Sequence, residues 1–211
     1  MIKKKISFLK KNIPTNIKII VVSKNQSISK ILNLYKLGHR NFGENKVQEL
    51  VRKYEKLPKD ISWHMIGKLQ TNKVKYIIPF VKLIHSVDSS KLLIEINKRA
   101  IINSKIISVL IQIKISKDLN KTGCDYKECI KILEISKNLN NITILGFMAI
   151  ASNSDDETLI NNEFSNLNKF FKSIKKENKN IQLLSMGMSK DYKIAIKNGS
   201  NMIRLGSMIF S

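Results

Sequence analysis

The feature that most restricts how this chain can fold is a rhythm. Short apolar runs of strand length alternate with longer amphipathic stretches from Ile17 to Gly206. Residues 17–24, 41–43, 62–67, 83–87, 107–115, 142–150, 183–187 and 202–206 read as strands, being short, apolar and rich in β-branched residues. Between them, residues 27–37, 46–56, 72–78, 90–102, 126–138, about 157–176 and 191–198 carry helical spacing, with stops at Gly38, Pro58, Pro79 and Gly199. Strands separated by helices predict a parallel sheet covered on both faces. Eight such steps make a closed (β/α)8 barrel the economical topology, because closure removes both sheet edges.

The 211 residues are 43% hydrophobic and contain no low-complexity linker or abrupt change of composition, which predicts one barrel domain over residues 1–211. Barrels of this type run to about 250 residues, so little room is left for inserted domains or long lids. A doubly wound open sheet is the structural alternative. The turn after the first strand lacks the glycine-rich dinucleotide fingerprint, which counts against the usual function of that alternative.

Residues 1–11 are basic but hold no apolar stretch followed by a small-residue cleavage site, so a secretory signal is not expected. The longest apolar runs fall far short of the roughly 18 residues a membrane span needs. Cys124 and Cys129 are too few for a disulfide scaffold and lack partners for a zinc site, and a reducing cytosol is the expected setting.

A net charge of +22 would draw polyanions and raises nucleic-acid binding as one reading. Its lysines are scattered among excess Ile and Asn instead of forming a basic stripe interleaved with aromatics, and no helix-turn-helix or zinc-finger spacing occurs. Specific recognition of nucleic acid is therefore not expected.

Functional groups in a barrel collect at the carboxyl ends of the strands. Lys24 closes the first strand there, although position alone does not separate a reactive amine from a lysine marking a strand exit. Arg204 shares a face with Met202 and Gly206 in the last strand, where a buried guanidinium needs partners, structural or ligand-borne. Two turns flank it: residues 185–189 (Ser-Met-Gly-Met-Ser) and Gly206-Ser207, whose N–H groups and hydroxyls suit an anion near the helix that begins at Asp191. Ser189 reads equally well as a helix cap. Barrel phosphate sites often lie after strands seven and eight, beside strand one. His64, on its own, reads first as a hydrogen-bonded structural histidine. No carboxylate pair and no Ser, His and Asp set points to hydrolysis, and Cys124 reads as packing.

Several motifs together resemble a known family: Val21-Val22-Ser23-Lys24, Phe42-Gly43-Glu44-Asn45, residues 63–73 (WHMIGKLQTNK), Gly146-Phe147-Met148-Ala149-Ile150, residues 184–189 and Ile203-Arg204-Leu205-Gly206. In this order, from about Ile17 to Phe210, they resemble the YggS/PROSC family of pyridoxal phosphate homeostasis proteins. The resemblance implies the barrel of the alanine racemase class without its second domain, with pyridoxal 5'-phosphate held as a Schiff base on Lys24. It implies Arg204 opposite the pyridine nitrogen, Ser189, Gly206 and Ser207 at the phosphate, and Asn45 and His64 near the site. Lys46 stands where the family usually has an aromatic residue, Ser207 where threonine is commoner, and Tyr192 where an aliphatic residue is usual.

An arginine at the ring nitrogen stays a donor and disfavours a protonated pyridinium, so the cofactor would be a weak electron sink that still exchanges imines. The resemblance thus implies a carrier that stores the cofactor or delivers it to pyridoxal-phosphate-dependent apoenzymes. The rival enzyme reading is an amino-acid racemase, which needs a second base on the opposite face. A monomer is expected, since a closed barrel has no strand edge demanding a partner.

Overall fold

The computed structural model describes residues 2–118 and 121–211, and its eight parallel strands close into a barrel in chain order. The strands are β1 (Lys18–Val22), β2 (Asn41–Glu44), β3 (Ser62–Met65), β4 (Leu83–Val87), β5 (Ile107–Gln112), β6 (Ile142–Met148), β7 (Leu183–Ser185) and β8 (Met202–Leu205). The helices are α1 (Ile2–Asn12), α2 (Ile28–Lys36), α3 (Val47–Lys56), α4 (Ser90–Ile102), α5 (Tyr126–Ser136), α6 (Glu157–Glu177), α7 (Tyr192–Lys197) and α8 (Ser207–Phe210). β1 closes on β8 with Ile20 beside Arg204 and Val21 beside Leu205. That pairing is what brings the two ends of the sequence to one rim.

Period-two alternation splits each strand between two cores. Outward residues such as Val21, Phe42, Trp63, Ile84, Val109, Phe147, Leu184 and Ile203 pack under the helices. Inward residues Ile20, Leu83, Leu110, Met148 and Met202 form a separate apolar cluster inside the barrel. Beside that cluster the interior is polar, with His64, His85, Ser185 and Arg204 all buried.

Local signals set the helix ends. Ser27 caps α2 through the Lys30 N–H, Asp125 caps α5 through the Glu128 N–H, and Asp156 caps α6 through Thr158 and Leu159. Gly146 breaks the register of β6: its φ is +148°, and a Cβ there would lie 1.8 Å from the Leu183 carbonyl oxygen. Only glycine allows that approach of β6 to β7.

Three segments differ from expectation. Residues 2–12, read only for charge, form α1, whose Ile6 and Leu9, followed by Ile13, repeat at three and four residues and are buried. The helix expected at residues 72–78 is a 3-10 helix, Thr71–Tyr76. Val74 and Ile77, three apart, are both fully buried, and Pro79 follows at once; three residues per turn put that pair on one face. After β8 the chain forms the short α8 instead of stopping at Gly206.

Candidate functional site

The carboxyl ends of β1, β6 and β8 and the loop after β7 open onto a cavity of about 450 Å³. Lys24 enters it from the turn after β1, Ser189 from the loop after β7, Arg204 from β8, and Gly206 and Ser207 from the junction of β8 with α8. Five of the seven residues singled out in the sequence thus share one cavity. Asn45, half-buried after β2, and His64, buried in the barrel interior, are not among its lining residues. A broader cleft outside α4, lined by Thr71, Asn72, Lys91, Ile94 and Glu95, receives no residue from a strand end.

Charge gives the cavity a sign. Lys24, Lys121, Lys190 and Arg204 line it against the single carboxylate of Asp191, and that carboxylate already accepts the Met188 N–H at 2.5 Å. The excess of cation suits an anionic ligand. Ser189 Oγ accepts the Met208 N–H at 3.4 Å, which leaves its own hydrogen for another acceptor. Gly187, at φ +95°, lets the loop run against α7, where a Cβ would come within 2.6 Å of Ala195 Cβ. On the β6 side, Ser152 is pinned by the Glu163 carboxylate through its N–H at 2.7 Å and its hydroxyl at 2.5 Å.

Arg204 is 3% exposed, and among the described residues no carboxylate is hydrogen-bonded to it, although the charge of Asp191 acts on it across the cavity. Its Nη1 donates to the Ser185 carbonyl and to Ser185 Oγ, each at 2.8 Å, and its Nη2 donates to the Ala149 carbonyl at 2.9 Å. Burial lowers its pKa to about 10, which keeps it cationic at neutral pH. Below it, His85 and His64 are both held neutral, chiefly by burial, His64 with its pKa down to about 3.

A second buried cation stands under Lys24. Lys53 Nζ donates to the Ser23 carbonyl at 2.7 Å, to Glu44 Oε1 at 2.7 Å and to Glu49 Oε2 at 3.0 Å. Ser23 Oγ donates to the same Glu44 oxygen at 2.6 Å, and Glu49 also accepts the N–H of Asn25, the residue after Lys24, whose φ is +59°. Burial pushes the Glu44 carboxyl up against the pull of Lys53 and Ser23. The network ties the backbone on both sides of Lys24 to β2 and α3. Sequence reasoning missed it, although a signal existed: Lys53 falls three residues after Leu50 and six after Val47, on the apolar stripe of α3.

The fold and this site define a class. The family model of the alanine racemase N-terminal domain matches residues 1–211. The pyridoxal phosphate homeostasis protein of Helicobacter pylori strain J99 is 39% identical over 92% of this chain and 87% of its own length. That of Buchnera aphidicola subsp. Schizaphis graminum is 41% identical over 100% of this chain and 94% of its own. PipY of Synechococcus elongatus, solved with PLP bound, superposes with a TM-score of 0.92 at 30% identity, with both chains covered completely. The chain belongs to the pyridoxal phosphate homeostasis proteins, within the alanine racemase N-terminal domain family. An alanine racemase of Clostridium difficile, with a TM-score of 0.84 at 16% identity over 56% of its chain, shares the fold. Among the described residues no helix is long and apolar enough to cross a membrane, and no group of three His, Cys, Asp or Glu could hold a metal ion.

Proposed function

We propose that this chain, as one barrel domain over residues 1–211, binds pyridoxal 5'-phosphate in the barrel-mouth cavity and stores or delivers it. The observation that carries the reading is the convergence of a lysine amine, an arginine hydrogen-bonded only to neutral groups and two serine hydroxyls on one cation-rich cavity. In this reading Lys24 holds the cofactor covalently, Arg204 faces its ring nitrogen, and Ser189, Gly206 and Ser207 hold its phosphate. Asn45 and His64 act indirectly, since neither lines the cavity.

When bound, pyridoxal phosphate supplies an aldehyde that condenses reversibly with amines. The residues around it favour exchange over amino-acid turnover. A guanidinium with a pKa of about 10 presents only donors, so it leaves a facing ring nitrogen without a proton and a poor sink for electrons. The relatives' name describes pyridoxal phosphate homeostasis, with which carriage is compatible, whereas likeness to the racemase is a likeness of fold. Delivery to apoenzymes, a monomeric state and a cytosolic setting complete the proposal. Barrel closure leaves no strand edge to pair, and the free thiols Cys124 and Cys129 suit a reducing compartment. The charge of +22 adds salt-sensitive, non-selective attraction to polyanions.

Lys24→Ala tests this directly. At near-stoichiometric cofactor the variant should stay folded, lose the near-ultraviolet or visible band and the borohydride-trapped adduct, and retain weaker binding that depends on the phosphate. Peptide mass spectrometry that finds the wild-type adduct on another lysine, with the variant unchanged, would overturn the assignment.

A further inference from the structure

A hydrogen-bonded chain runs through the barrel interior from Arg204 toward the opposite end. Arg204 Nη1 reaches Ser185 Oγ at 2.8 Å, and Ser185 Oγ lies 3.3 Å from Nδ1 of His85. Nε2 of His85 lies 3.0 Å from Nδ1 of His64, and Nε2 of His64 lies 3.4 Å from Oδ1 of Asn41. The chain therefore crosses from β8 to β7, β4, β3 and β2, with Arg204, Ser185, His85 and His64 all buried.

Its ends fix its direction. A guanidinium only donates and an amide oxygen only accepts. Ser185, accepting from Arg204, spends its single hydrogen on Nδ1 of His85. A neutral imidazole carries one N–H, so His85 donates from Nε2 to Nδ1 of His64, and His64 donates from Nε2 to Asn41. The reverse sense would set the lone pair of His64 Nε2 against the oxygen of Asn41.

We propose that Ser185, His85 and His64 are positioning residues for Arg204, forming a one-way chain that holds the guanidinium in place while leaving its charge and spare donors to the ring end of the bound cofactor. The inference rests on the binding reading above. Its physical logic is that every link turns its acceptor toward Arg204, so neutral dipoles stabilise the charge and polarise one another. A carboxylate would stabilise the charge better, but it would occupy the Nε–H and the second Nη2 hydrogen, which have no protein acceptor among the described residues. The apolar cluster beside it, built from Ile20, Leu83, Leu110, Met148 and Met202, shows that this barrel can be filled with apolar groups. Buried polar side chains cost stability unless bonded, and here the bonded ones are stacked against the one arginine of the cavity.

Two measurements test the chain. Histidine ¹⁵N spectra of the ligand-free protein should show protonated Nε2 and bare Nδ1 at both His64 and His85; a protonated Nδ1 at either would overturn the direction. Ser185→Ala should weaken pyridoxal phosphate binding about fivefold and shift the absorption maximum of the bound cofactor, and Ser185→Thr should restore both. With a carbocyclic analogue that has C–H in place of the ring nitrogen, Ser185→Ala should bind as wild type does. Equal losses for both ligands, or a Ser185→Ala protein indistinguishable from a wild type that binds normally, would overturn the positioning role alone. A wild type that takes up neither ligand would overturn the binding reading and this role with it.

Discussion

Among the described residues, two cations, Lys53 and Arg204, are buried in this barrel, and they are held in opposite ways. Lys53, fully buried, faces two carboxylates, Glu44 and Glu49, together with the Ser23 carbonyl. Arg204, almost as buried, is hydrogen-bonded to two carbonyls and one hydroxyl, all neutral. The first cation is neutralised and closed off; its work is to fix the backbone around Lys24. The second keeps its charge and spare hydrogens at a cavity wall. The contrast separates a closed-off charge from a cavity-facing one on grounds that burial alone would miss.

The largest expected effect comes from breaking the closed pair. Lys53→Met leaves the buried Glu44 without its cation, and removing one partner of a buried pair costs about 3–5 kcal/mol. Arg204→Leu should cost about 1–3 kcal/mol, because Ser185 Oγ keeps His85 and the Ser185 carbonyl keeps the Ala149 N–H, leaving the Ala149 carbonyl as the bonding partner it strands. Urea unfolding ranks the two, and pyridoxal phosphate titration should rank them the other way, with Arg204→Leu the worse binder. The same order in both assays would erase the distinction.

Acid should act on the Arg204 side next. The folded pKa of His64, about 3, lies below its ordinary value of 6.5, so below pH 6.5 the unfolded chain binds more protons than the folded one. Stability from this group is complete above pH 6.5 and falls progressively toward pH 3. Between pH 6.5 and 5 the loss from His64 alone is about 2 kcal/mol, and His85, lowered for the same reason, adds to it. Unfolding midpoints at pH 7 and pH 5 should therefore separate in the wild type and separate less in His64→Gln, where the His85 contribution persists. Equal separation in both proteins would show that the interior histidines do not set the acid limit.

The smallest effect sharpens the ligand-facing side. Ser189 and Ser207 line the cavity near each other, and under the proposed function both hydroxyls would hold one phosphate. Replacing both with Ala should weaken pyridoxal phosphate binding about tenfold, each alone by less, with the double loss departing from the product of the singles. Calorimetric titration checks this. Two small and strictly independent effects would place the hydroxyls at separate sites.

The sequence by itself determined the barrel, because strand-length apolar runs alternating with helical spacing leave few ways to bury both faces of a parallel sheet. It also brought out Lys24, Ser189, Arg204, Gly206 and Ser207, since the end of a strand and the turns after strands seven and eight are places topology makes adjacent. It passed over α1, whose periodic Ile6 and Leu9 were hidden behind the charge of residues 1–11. Tertiary structure alone decided which polar residues meet inside. Lys53 and Glu44 are nine residues apart and on different elements, while His64, His85, Ser185 and Arg204 come from four strands. Alternation assigns each of these side chains to a face, but the height at which it meets a neighbour depends on strand register and barrel closure. Those are set by the packing of the whole chain, so the interior chain and the charge beneath Lys24 emerge only when the barrel is shut.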